Sequence, residues 1–147
     1  MTDPKIYALA YLSSATTLPK QSDLDEILAQ SRRNNEADGI TGLLMFHDGN
    51  FFQVLEGPKK AVETCYRRIA QDPRHQGHIV MMREDAPVRR FDNWTMAYVP
   101  FENMNATEKK GFLDLQAFRD PEIQRKKTGD GTAAILVNSF LKTLRFR

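Results

Sequence analysis

The sequence predicts an α+β domain on the ferredoxin-like, split-βαβ plan, with elements in the order βαββαββ. Three observations carry this. Two apolar runs, Gly39 to Phe46 and Phe51 to Gly57, flank His47-Asp48-Gly49-Asn50, and Asp-Gly between apolar runs is a strong hairpin signal. Two stretches of helical periodicity bracket that hairpin, one with Leu24, Ile27 and Leu28 at i, i+3 and i+4, the other with Val62, Cys65, Tyr66 and Ile69 on one stripe. A breaker-free run from Ile6 to Leu12 precedes the first helix, and further strand-like runs follow the second. Such a sheet collects both helices on one face.

The first strand carries Tyr11 at its C-terminal end. After Pro19, Ser22 is placed to cap the first helix, whose polar exit is Arg32-Arg33-Asn34-Asn35. In the second hairpin strand, alternation sets Phe51, Gln53 and Leu55 on one face and Phe52, Val54 and Glu56 on the other, until Pro58 stops it. The second helix covers Lys60 to Gln71 and closes at Asp72-Pro73. His78 to Arg83 and Trp94 to Val99 supply the last two strands, separated by a charged segment. Two weaker helices follow, Thr107 to Phe118 and Thr132 to Leu144. The second contains Ile135, Leu136, Phe140, Leu141 and Leu144, an apolar surface that needs burial, so both C-terminal helices are expected to pack on the helix-free face of the sheet. Residues 1–100 then form the main domain and 101–147 a helical extension of it.

Composition narrows the function classes. A chain of 147 residues with 41% hydrophobic residues buries one core. Its 21 basic and 19 acidic residues give a formal charge of +2, short of the basicity of a dedicated nucleic-acid binder. The single cysteine, Cys65, supports neither a disulfide framework nor a cysteine metal site, which fits a reducing cytoplasm. No apolar run approaches the ~20 residues of a membrane span. His47, His75 and His78 read as solvated loop residues and make no metal site. Neither a G-x-G-x-x-G nor a phosphate loop is present, and Ser13, Ser14 and Cys65 have no base in sequence context. Glu56, beside Gly57, reads as a turn or cap contact.

Packing leaves one set of polar residues unexplained. Gln53 lies within Phe51-Phe52-Gln53-Val54-Leu55, where Phe51 and Leu55 share its face and argue against solvent exposure. Together, Tyr11, Asn34, Asn35 and Gln53 offer a hydroxyl and several amides to a planar heteroaromatic ring with carbonyl, imine and N–H groups. Ile27 and Ile69 could flank such a ring as apolar walls, a role as natural for them as that of core residues.

Six stretches follow one another in order: Tyr11-Leu12-Ser13-Ser14-Ala15, Ser31-Arg32-Arg33-Asn34-Asn35, Gly39-Ile40-Thr41-Gly42-Leu43-Leu44, Phe51-Phe52-Gln53-Val54-Leu55-Glu56-Gly57, Asp72-Pro73-Arg74-His75 and Arg90-Phe91-Asp92-Asn93-Trp94-Thr95-Met96. The ordered set resembles the successive signatures of the BLUF family of blue-light photoreceptor domains, over about residues 5 to 100. The resemblance implies a non-covalent flavin, FAD or FMN, between the two helices. It implies Tyr11 as the redox-active tyrosine and Gln53 as the switching glutamine between that tyrosine and the flavin N5 and C4 carbonyl. Asn35 would contact the C4 carbonyl side, Asn34 the same pyrimidine edge and Arg74 the C2 carbonyl, with Arg68 and Asp72 toward the phosphate and ribityl groups. Trp94 and Met96, on a strand neighbouring that of Gln53, are the relay candidates.

The implied mechanism is electron and then proton transfer from Tyr11, with recombination leaving Gln53 rearranged by rotation, tautomerisation or both and the absorption shifted to the red. Nothing is turned over, so the resemblance implies a sensor and not an enzyme. With no output domain after residue 147, the signal is expected to pass to a separate effector, a cyclic-dinucleotide phosphodiesterase or a transcriptional regulator being the candidates, and the chain to form a dimer or larger homo-oligomer. No nucleic acid or membrane is an expected direct partner. An RNA-recognition motif would place basic and glycine residues before Phe51 and Phe52, where this sequence has Asp48-Gly49-Asn50. A small hydrolase would need a paired acid and base, and a flavin oxidoreductase an open substrate pocket, neither of which any residue marks.

Overall fold

A computed structural model describes residues 6–91, 96–120, 122–123 and 132–144. The chain runs β1 (Ile6–Ala15), α1 (Gln21–Asp38), β2 (Thr41–His47), β3 (Asn50–Gly57), α2 (Lys59–Ala70), β4 (His75–Ala86), β5 (Ala97–Tyr98), α3 (Ala106–Gln116) and α4 (Thr132–Thr143). Asp48 and Gly49, at φ 51° and 79°, supply the left-handed pair that a two-residue hairpin turn requires and fold β3 back on β2. The strands form one sheet in the order β4-β1-β3-β2-β5, antiparallel except where β5 joins β2. This is the α+β, ferredoxin-like layout expected from the sequence, with a fifth strand added at one edge.

Because side chains alternate across a strand, the sheet feeds two cores. Leu9, Tyr11, Leu44, Phe51 and Leu55 point toward Leu24 and Leu28 of α1 and Val62 and Cys65 of α2. On the other face Ala10, Leu12, Leu43, Phe52 and Val54 meet Phe112 and Leu115 of α3 and Val137, Phe140 and Leu141 of α4. The Phe112 ring stands edge-on to Phe52 at 6.3 Å between centroids. Full burial of a side chain of this size contributes about 1.5–3 kcal/mol. The C-terminal helices therefore cover the face that α1 and α2 leave bare.

Three local expectations are corrected. Helix α1 starts at Gln21, with Lys20 and not Ser22 as its cap, and the Lys20 backbone N–H donates to the Asp23 carboxylate at 2.8 Å. The same helix runs a turn beyond Asn35 to Asp38, where Gly39 at φ 71° ends it. The polar run that read as an exit is helix, and Asn35 within it is buried. Strand β4 starts at His75, because β1 continues to Ala15 and pairs with it, so neither His75 nor His78 is a solvated loop residue. Gly77, at φ 64°, marks a bulge: Leu12 pairs with Ile79 and Ser14 with Gln76, leaving two residues of β4 opposite Ser13.

Of the strand expected over Trp94 to Val99, Ala97 and Tyr98 pair with β2, while Trp94 lies outside the described residues. No helix among the described residues is long and apolar enough to cross a membrane.

Candidate functional site

Helices α1 and α2 leave a cleft between them and the sheet. Tyr11, Leu44, Phe51 and Gln53 make its floor. From α1 come Ile27, Ser31 and Asn34, spaced i, i+4 and i+7 on one helix face, together with Asn35. From α2 come Cys65, Arg68 and Ile69, and the connection to β4 adds Asp72 and Arg74. All the side chains that the sequence offered as flavin contacts thus lie on this one cleft.

The floor is organised around Gln53. Tyr11 and Gln53 are 2% and 3% exposed, so neither exchanges its hydrogen bonds with solvent. The Tyr11 hydroxyl donates to Gln53 Oε1, and Gln53 Nε2 donates to Met96 Sδ at 3.4 Å. The chemistry of the partners forces this orientation. A thioether only accepts, so the NH2 end of the amide must face Met96 and the oxygen must face Tyr11, whose hydroxyl must then donate. Burial pushes the Tyr11 phenol well above its ordinary pKa of 10.0, which keeps that proton in place.

Met96, one of the two relay candidates, is therefore a direct partner of Gln53. Its backbone carbonyl accepts from Arg32 Nε at 3.0 Å, which ties it to α1. Gly42 makes the room: a Cβ there would stand 2.1 Å from the Val54 carbonyl oxygen and 3.3 Å from Met96 Cε. Trp94, the other candidate, is outside the described residues.

Toward the mouth the groups become charged. Asn35, 1% exposed, accepts from Cys65 Sγ at 3.8 Å, joining the two helices at the cleft wall. Arg74 Nε lies 3.0 and 2.9 Å from the two Asp72 carboxylate oxygens, and its Nη2 donates to Gln30 Oε1 at 3.1 Å. Hydrogen bonding from Arg74 holds the Asp72 carboxyl below the usual range. Arg68 pairs with Asp38 across the helices at 3.3 Å. Both arginines are roughly half exposed, as suits groups that meet a ligand's polar end.

His75 is a cleft residue to which sequence reasoning assigned no role in the site. Its Nε2 sits 2.9 Å from the Ile69 carbonyl, which only accepts, so the ring proton is on Nε2 and Nδ1 accepts from Ser13 Oγ at 2.8 Å when the ring is neutral. Burial lowers its pKa and favours that neutral form. His78 lies 4.3 Å from His75 and 5.6 Å from Tyr11 between ring centroids. Three residues apart on a regular strand, the two imidazoles would face opposite ways; the bulge at Gly77 turns both toward Tyr11. Gly77, just ahead of the strand-like run His78 to Arg83, was the available signal.

A floor of neutral donors and acceptors, apolar walls and cations at the rim fit a flavin. The amides satisfy ring carbonyls and a ring N–H without burying charge, while Arg74 suits a ring carbonyl and Arg68 a phosphate. Among the described residues no group of three or more His, Cys, Asp or Glu is placed to hold a metal ion.

Comparison with known proteins agrees with this fit. A family profile described as sensors of blue-light using FAD, BLUF, matches residues 6–97. The chain is 41% identical over 68 residues to the blue light- and temperature-regulated antirepressor BluF of Escherichia coli (strain K12), covering 46% of this chain and 17% of that protein. To the photoactivated adenylate cyclase subunit beta of Euglena gracilis it is 31% identical over 136 residues, covering 86% of this chain and 16% of that one. The chain thus spans about a sixth of the length of these curated relatives. Among solved structures it resembles BlrB, a BLUF protein in its dark state, with a TM-score of 0.68 at 29% identity, over 96% of this chain and 98% of that chain. With a profile match from the first residue of β1 into β5 and a solved BLUF protein of the same fold, the chain belongs to the BLUF family of blue-light sensors, and FAD is its cofactor.

Proposed function

We propose that this chain is a dark-reversible photoswitch in which Gln53 is the moving part, Tyr11 supplies and recovers a proton, and a separate protein receives the signal. The observation that carries the reading is the double commitment of one buried amide, with Oε1 on Tyr11 and Nε2 on Met96. Asn34 and Asn35 would hold the pyrimidine edge of the ring, Ile27 and Ile69 its faces, Arg74 the C2 carbonyl side, and Arg68 and Asp72 the ribityl and phosphate end.

When bound, the flavin absorbs blue light and supplies a strong one-electron oxidant. Tyr11 is the buried phenol on the cleft floor, and its proton faces Gln53 Oε1. Once that oxygen takes the proton, it becomes a donor and the polarity of the amide no longer matches its partners. Rotation or tautomerisation restores the match. In the rotated form Nε2 turns toward Tyr11 and gives up Met96 Sδ, while both the electron and the proton that Tyr11 lost return to it. Two arrangements of one side chain, closed to water, one keeping and one releasing Met96 Sδ, give a bistable element.

No substrate is consumed in such a cycle, so the role is regulatory and not enzymatic, with the cytoplasm as its setting. A transcriptional regulator is the favoured partner, because the Escherichia coli relative is an antirepressor by name. Assembly as a homo-oligomer completes the proposal.

Gln53→Leu tests it, since leucine keeps the bulk and removes both ends of the amide. The purified variant is expected to hold flavin and to show no reversible red shift after blue light. An unchanged photocycle would remove Gln53 from this role.

A further inference from the structure

Glu56 and Arg90 form a partly buried ion pair that the cleft does not use. Glu56 lies on β3 three residues beyond Gln53 and, by strand alternation, on the opposite face of the sheet. Its side chain is fully buried. Glu56 Oε1 accepts from the backbone N–H groups of Arg90 at 2.8 Å and Phe91 at 3.2 Å, while Oε2 faces Arg90 Nη1 at 3.7 Å. Arg90 Nη2 donates to Asn138 Oδ1 on α4 at 2.5 Å and lies 3.7 Å from Glu84 Oε1. Asn138 Nδ2 donates to that same Glu84 oxygen at 3.1 Å and to the Ala134 carbonyl, one turn back, at 3.0 Å. One guanidinium and two carboxylates therefore join β3, β4, the residues just after β4, and the C-terminal helix.

Stability gives little reason for such a network, because a buried ion pair loses in desolvation about as much as it gains in attraction. Its placement gives a better one. Residues on both sides of 92–95 are bonded to the same strand: Arg90 and Phe91 to Glu56 on one face, Met96 to Gln53 on the other. An amide that releases Met96 frees one of these attachments and leaves the other, and the side chain at the remaining attachment is clamped to α4.

We propose that Arg90 and Asn138 carry the state of the Gln53 amide across the sheet to α4, with Glu56 as the fixed anchor. These are positioning residues: none lines the cleft. The inference rests on Gln53 being the moving part, and its test is arranged so that the two readings fail separately.

The test is a double-variant cycle on the full, flavin-loaded chain in the dark, reading amide hydrogen exchange of α4 in the wild type, Gln53→Leu, Asn138→Ala and the double variant. Gln53→Leu is expected to change α4 exchange by about twofold or more, the lower end of coupling between interacting sites. In the Asn138→Ala background the same substitution is expected to leave α4 exchange unchanged. An equal effect in both backgrounds, or no effect in either, overturns the proposal. Light absorption is read separately. Asn138→Ala should retain the reversible red shift of the wild type, and a wild type without that shift defeats the photoswitch reading while the dark cycle still decides the coupling.

Discussion

Tyr11 and Gln53 are cross-strand neighbours in register on β1 and β3, and the tyrosine hydroxyl donates to the glutamine oxygen directly across that pair. A sheet register is a rigid way to hold a proton donor against its acceptor, because a slip by one residue would send either side chain to the opposite face. The backbone thus fixes what a flexible loop would leave loose.

Tyr11→Phe keeps the ring and deletes the donor. Gln53 Oε1 then loses its partner in a buried site, at a cost of about 1–3 kcal/mol, which should appear as a lower urea midpoint. Flavin is expected to remain bound, and the reversible red shift to disappear. A variant that still shifts and recovers would show that another group serves as the proton source.

Gly42→Ala tests how tightly the floor is built. The added methyl would meet the Val54 carbonyl oxygen at 2.1 Å, a backbone atom of the paired strand that cannot yield without disturbing the ladder. The expected loss is about 3 kcal/mol, the upper end for overpacking, measured by equilibrium urea unfolding. Since Met96 Cε lies 3.3 Å from the same point, the contact between Gln53 and Met96 should be disturbed as well. A loss below about 1 kcal/mol would mean that β2 and β3 part easily here.

His78 makes stability depend on acid. Burial first, then His75 and Arg119, hold its folded-state pKa at about 4, against 6.5 for an unperturbed ring. Between those values the unfolded chain binds a proton that the folded chain refuses, so stability is complete above about pH 6.5 and declines as the pH falls toward 4. His75, lowered by burial, acts in the same direction. His78→Gln is expected to flatten the fall of the urea midpoint across this range. If the slope is the same in the variant, other groups are responsible.

Much of this architecture is legible in the sequence because its signals are local. The Asp48-Gly49 turn, the stripes on α1 and α2, and the alternation around Gln53 each need only a few neighbouring residues to be read. The apolar positions of α4 correctly announce a second covered face. What escapes is set by distant contacts. Asn34 and Asn35 read as a polar helix exit because polarity suggests solvent, whereas the cleft and Cys65 bury Asn35. Gly77 reads as part of a turn, whereas pairing with β1 makes it a bulge that aims two histidines at Tyr11. Met96 stands out as a relay candidate by family resemblance, but its thioether as acceptor for Gln53 depends on β5 joining β2. Arg90 and Asn138 are 48 residues apart, and no periodicity links them.

The light-minus-dark absorption spectrum of the purified, flavin-loaded protein is the most direct measurement of whether this chain is a photoswitch. The account predicts a modest red shift of the flavin band after blue light that reverts in darkness with the flavin still oxidised. A colourless protein, or one that bleaches to reduced flavin without a reversible shift, would contradict it.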